Sequence, residues 1–185
     1  AVISVSLSLV REKEIGTIEQ LNVSSINSME LLLGKSIPYI AISLLDAVLI
    51  LIAGYILFDV IVEGSLLLLF AMTLIYILSA IALGIFISVV ANTQQVAFTM
   101  ATFATLLPSV ILSGFIFPIE SMPKIVQIIT NVPPAKFFIV ILRSIMIKGV
   151  GIESFWDQLI YMILFAILFL VIAINLYRKK VEVSW

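Results

Sequence analysis

The stretch Ser65–Ala91, SLLLLFAMTLIYILSAIALGIFISVVA, decides the fold, because it carries no Asp, Glu, Lys or Arg from end to end. A helix needs about 20 mainly apolar residues to cross a hydrocarbon core roughly 30 Å thick, and this run is long enough. Three more segments meet the same test: Pro38–Phe58, Val96–Phe117 and Gln158–Tyr177. Ala1–Val10 is apolar but too short to cross alone, and the sequence starts without Met. It reads as the end of a span cut in two. The composition agrees, with 63% hydrophobic and 11% charged residues over 185 positions, far above the roughly 45–50% apolar content of soluble domains. The expected class is therefore all-α: a polytopic transmembrane helical bundle with four complete spans plus the end of a truncated one, forming a single domain over 1–185.

Composition also removes whole chemistries. The chain has neither Cys nor His, which excludes thiolate and imidazole metal sites, cysteine nucleophiles and Ser/His relays. No catalytic, cofactor-binding or metal residue is expected. A net charge of -1, with no basic stripe, argues against nucleic acid as a partner. The partner that composition itself names is the lipid bilayer.

Orientation follows from the basic residues near span ends. Arg11, Lys13 and Lys35 flank the polar segment 11–36, and Arg178, Lys179 and Lys180 open the tail 178–185, whereas the Asp59–Gly64 turn has none. Four crossings place segment 11–36 and the C-terminus on one side, expected to be the cytoplasm of a cell inner membrane. The connection 118–157 then lies outside. It carries Lys124, Lys136, Arg143 and Lys148, which weaken the count modestly.

That connection is unusual for a loop. Lys124–Val132 and Ala135–Lys148 are apolar and helix-compatible, yet at 1.5 Å per residue the longer reaches only about 20 Å. Pro118, Pro123, Pro133 and Pro134 supply breaks, since each lacks an amide donor. Two short re-entrant or interfacial helices forming an outer lid are expected. Segment 11–36 is unusual in the other direction. Ile15, Ile18, Leu21 and Ser25 share one helical face, which suggests an amphipathic helix along the membrane surface. Asn27 with Glu30 has the form of a helix start leading into the next span.

Isolated motifs add little. Gly34-Lys35-Ser36 resembles the end of a phosphate-binding loop, but Met29 stands where the consensus needs glycine. Asn22-Val23-Ser24 has the form of a glycosylation sequon, at a position expected to be cytoplasmic. Ala80, Gly84 and Ser88 recur at every fourth position, as do Ala97, Ala101, Thr105, Ser109 and Ser113; such stripes let helices approach closely. Pro108 is expected to kink the span that carries the second stripe. Asp46 lies within the first complete span, where a charged carboxylate costs about 2.5–3.5 kcal/mol. It is either a proton or cation site or a hydrogen-bonded tie between helices, and the tie is the favoured reading.

Two regions together carry a family resemblance. Arg11-Glu12-Lys13-Glu14-Ile15-Gly16-Thr17-Ile18-Glu19-Gln20-Leu21, continuing through Met29-Glu30-Leu31-Leu32-Leu33-Gly34-Lys35, is similar to the cytoplasmic segment of type-2 ABC exporter permeases. Leu112-Ser113-Gly114-Phe115-Ile116-Phe117-Pro118-Ile119-Glu120-Ser121-Met122-Pro123 resembles the family's outer loop, as do Pro133-Pro134-Ala135-Lys136-Phe137-Phe138 and Leu142-Arg143-Ser144-Ile145. Pro133-Pro134 stands where the family has Asn-Pro. The resemblance implies a permease subunit of an ATP-binding-cassette exporter, not itself an enzyme, that pairs with itself or a related permease and binds separate ABC ATPase subunits. It implies that ATP and Mg are held by those partners. Glu14, Gly16, Thr17, Glu19, Gln20 and Leu21 would form the ATPase-coupling element, and Gly114, Pro118, Met122, Pro123, Pro133, Pro134 and Arg143 the external lid. The substrate stays open. So do two other classes: an ion-coupled secondary transporter or channel using Asp46, and a structural membrane protein.

Overall fold

The computed structural model describes residues 1–15, 28–114 and 119–183, with backbone alone at 28–33, 120 and 178–183. Among these residues there are seven α-helices and no strand. They are α1 (Val2–Ile15), α2 (Ser28–Phe58), α3 (Leu66–Val90), α4 (Gln94–Leu107), α5 (Lys124–Ile129), α6 (Pro134–Met146) and α7 (Trp156–Val183). Single 3₁₀ turns lie at Ile119–Ser121 and Ile152–Ser154. Four stretches are long and apolar enough to cross a membrane: Gly34–Phe58, Leu66–Val90, Gln94–Leu112 and Trp156–Tyr177. These are the four crossings expected from the sequence.

Two boundaries differ from expectation, at the end of α1 and within α4, each for a local reason, and the start of α2 agrees with it. The helix expected to end with the truncated span at Val10 runs on to Ile15, since nothing between Val10 and Arg11 breaks a helix. Arg11 to Glu14 are its last turn, and the rest of the expected surface helix lies outside the described residues. α2 starts at Ser28 and takes Pro38 into its interior; Asn27, the expected starting residue, is also outside the described set. α4 gives way at Pro108 to a π-helical turn, Pro108–Leu112. The proline that was expected to kink this span has no amide to donate, and the helix widens there.

α3 packs against α7, α1, α6 and α2. From Ser79 to Val89 its side chains are buried at nearly every position, as a helix surrounded by others must be. The Ala80, Gly84, Ser88 stripe explains how α1 comes so close. A Cβ on Gly84 would lie 3.0 Å from the Val2 carbonyl oxygen and 3.3 Å from Val5 Cβ. Ala97 and Ala101, the start of the second stripe, are fully buried in the same cluster as Val2, Val10, Leu83 and Ile87. Ser79 donates to Ile75 O at 2.9 Å and to Met162 O at 3.0 Å, tying α3 to α7. α6 is clamped by aromatic stacks, Tyr76 on Phe138 at 4.3 Å and Phe137 on Tyr161 at 5.0 Å. α2 is different, because among the described residues none of its most apolar window is buried.

The helices sort the connections into two ends. Glu63 donates its amide to Met146 O at 3.2 Å, and Gly149 (φ +62) lies against Glu63. The α2–α3 turn and the α6–α7 connection therefore share one end. The last turn of α1, Lys35 and the α3–α4 turn share the other.

Candidate functional site

At the end formed by α1, Lys35 and the α3–α4 turn, three helix termini meet. α3 stops at Val90, where the Ala91 amide donates to Ile87 O at 2.8 Å. α4 starts after Thr93, whose hydroxyl accepts from the Val96 amide at 3.3 Å. A helix C-terminus presents free carbonyls and a negative pole, and an N-terminus free amides and a positive one. Adjacent residues of α1 answer both. Lys13 Nζ donates to Ala91 O at 2.9 Å and reaches Val89 O at 3.4 Å and Asn92 Oδ1 at 3.5 Å. Glu14 Oε1 accepts from the Gln94 amide at 2.9 Å, and its Oε2 from Gln94 Nε2 at 2.5 Å. These bonds hold the Glu14 carboxyl below the usual carboxylate range, the side-chain bond from Gln94 acting more than the backbone one. Lys35 pairs with Glu12, tying α2 to α1.

Of the residues expected to couple to an ATPase, Glu14 is thus committed to the chain's own α4. Gly16, Thr17, Glu19, Gln20 and Leu21 lie outside the described residues. Gly34-Lys35-Ser36 is interior to α2, with Ser36 buried, so it has no loop with which to cradle phosphate. Sequence reading missed Lys13, Asn92 and Gln94 as members of this site. Thr93 before an apolar run is a legible helix start, but the Glu14 that holds the next residue, Gln94, is 80 positions away.

At the opposite end two of the expected lid residues, Gly114 and Arg143, come together. Gly114 has φ +75, a conformation that glycine adopts without strain, and a Cβ there would lie 3.1 Å from Ile119 Cδ1. Its carbonyl accepts from Arg143 Nη2 at 3.3 Å, which ties α6 to the end of α4. Pro123 precedes α5, and Met122 O accepts from Gln127 Nε2 at 2.8 Å. Pro133 and Pro134 open α6, a place where missing amides cost nothing. Lys136 then reaches back to Thr130 Oγ1 at 3.2 Å and Asn131 Oδ1 at 2.5 Å, closing the α5–α6 turn. Pro118 lies outside the described residues.

Asp46 lies midway between Gly34 and Phe58 on α2, exposed, on the wall of a cavity of about 310 Å³ shared with Thr73 and Tyr76 of α3 and Phe138 of α6. The tie between helices expected of it is not made: among the described residues its carboxylate has no hydrogen bond or ion pair.

The sequence comparisons point one way. A family model described as "ABC-2 family transporter protein" matches residues 1–175. "Probable multidrug ABC transporter permease YbhR" of Escherichia coli K12 is 34% identical over 154 residues, covering 83% of this chain and 42% of that protein. "Probable multidrug ABC transporter permease YbhS" of the same organism is 39% identical over 144 residues, covering 78% and 38%. "ABC transporter G family member 20" of Dictyostelium discoideum is 27% identical over 184 residues, 97% of this chain and 25% of that protein. The chain spans less than half the length of these curated relatives.

Proposed function

The chain belongs to the ABC-2 family of transporter proteins, and from that premise we propose that it is the membrane-spanning part of an exporter driven by ATP in separate subunits. The observation that supports this most is the sorting of polar structure. Arg11 to Glu14, Lys35 and the α3–α4 turn gather at one end, the lid residues gather at the other, and four apolar helices run between them. On this reading the first end is cytoplasmic, in the inner membrane, and receives the ATPase subunits through Gly16–Leu21. The chain itself holds no nucleotide; its partners hold ATP and Mg. A second permease copy or a related permease completes the pathway.

A switch of this kind works only if the ATPase contacts the permease differently in two states. ATP binding draws the partner subunits together, and the polar end passes that motion to the helices so that the outer end opens. The relatives' names speak of multidrug transport, and a small apolar or amphipathic molecule is the substrate class we propose for this chain. The ion-coupled alternative rests on Asp46, which has no hydrogen bond or ion pair among the described residues, and it would be favoured by gradient-driven transport in vesicles lacking ATP.

The test is capture of the ATPase by the full-length permease. Substitution of Gly16, Glu19 and Leu21 together is expected to reduce ATPase copurification several-fold while membrane insertion stays normal. Unchanged copurification would sink the proposed docking segment.

A further inference from the structure

Glu14 and Lys13 do something that neither the family nor a surface-helix reading requires. In an α-helix successive residues point about 100° apart, so two neighbours can serve two different targets. Here Lys13 turns to the C-terminus of α3 and Glu14 to the N-terminus of α4. Each charge has the sign that its helix pole favours. Glu14 holds Gln94 by two bonds, one to backbone and one to side chain. The contact is continuous with packing along the helices, where Ala97 and Ala101 of α4 are fully buried against the α1 and α3 cluster and Gly84 of α3 touches Val2.

We propose that Lys13 and Glu14 form a clasp that stays closed through the transport cycle, so that α1 and α4 move as one body and whatever pulls on the end of α1 also pulls on α4. This deepens the proposed function, on which its role in transport rests. It makes Glu14 and Lys13 positioning residues and leaves the ATPase contact to the residues after them. At the polar rim the two Glu14 bonds join the end of α1 to the start of α4, and Lys13 joins it to the end of α3. Apolar packing is non-directional, whereas the two bonds that Glu14 accepts from Gln94 are directional and charge-assisted, and they mark one register of α4 against α1.

The described chain has no cysteine, which makes paired labels straightforward in a background where other cysteines of the full-length permease are replaced. Nitroxides are placed at Ile15→Cys and Thr99→Cys, both exposed, in the full-length permease with its ATPase in lipid nanodiscs. Their dipolar coupling is recorded without nucleotide and with ATP plus vanadate. The expected result is the same coupling in both states, with a several-fold smaller strongly coupled fraction in Glu14→Gln and normal ATPase capture. Gln94→Met, which keeps the backbone bond, should lie between. A coupling that changes with nucleotide in the parent overturns the proposal, because the clasp then opens. So does an unaltered coupling in Glu14→Gln, and so does loss of ATPase capture with coupling intact, which would make Glu14 a docking contact. If the parent captures no ATPase, the proposed function falls, while the comparison of parent with Glu14→Gln still decides the clasp.

Discussion

Gly64 and Gly34 show how differently one residue type is used. A Cβ on Gly64 would lie 2.6 Å from the Ile145 carbonyl oxygen and 3.0 Å from Ile145 Cγ2. Backbone cannot swing aside as a flexible side chain can, so the start of α3 approaches the end of α6 only because position 64 is bare. Among the described residues Gly34 has nothing within 4 Å of the same construction, and it lies inside α2, where glycine costs about 0.5–1 kcal/mol relative to alanine. Gly34→Ala is therefore expected to raise the unfolding midpoint in detergent slightly. Gly64→Ala should lower it, by the cost of overpacking, about 1–3 kcal/mol. Midpoints that move together would show that the close approach is not real. Asp46 belongs to the same scale. Its place at mid-span was legible from the sequence, but its lack of a partner among the described residues was not, because the face it presents depends on where α3 and α6 stand.

Among the elements, α2 and α6 form the sharpest contrast. Both are apolar, yet α2 leaves Ile42, Leu45, Leu49 and Ile56 exposed, while α6 buries Ile141 and Ile145 completely beside Phe155 and Met162. Lipid is as apolar as a protein core, so a side chain that faces lipid gains little by being large. One in a packed interior leaves a cavity when shortened. Leu49→Ala should change stability by less than about 0.5 kcal/mol, and Ile145→Ala should cost about 2 kcal/mol, the low end of the core range. Reversible unfolding in mixed micelles measures both, and equal losses would contradict this division of faces. α4 adds a device of its own. Pro108 ends its regular hydrogen bonding and the π-helical turn that follows delivers Gly114 to Arg143.

For the molecule as a whole, sidedness is the claim most open to direct measurement. Gln95 is exposed beside the α1 clasp and Glu153 is exposed after α6, at opposite ends of the bundle. In intact cells an impermeant maleimide should label Glu153→Cys and spare Gln95→Cys, and both should react once the membrane is opened. Labelling of both from one side would refute the four-crossing topology. The sequence by itself determined the number of crossings and their approximate limits, because hydrocarbon thickness sets a length that charge-free runs such as Ser65–Ala91 must meet. It also determined the breaks around α5 and α6, since a proline's missing amide acts on its own chain neighbours whatever surrounds it. Only the tertiary structure decided that Glu14 faces Gln94, and that Asp46 stands on a cavity wall with no hydrogen bond or ion pair among the described residues. Each of these depends on side chains meeting across helices from distant parts of the chain, and hydrophobic periodicity records which face is apolar, not which neighbour covers it.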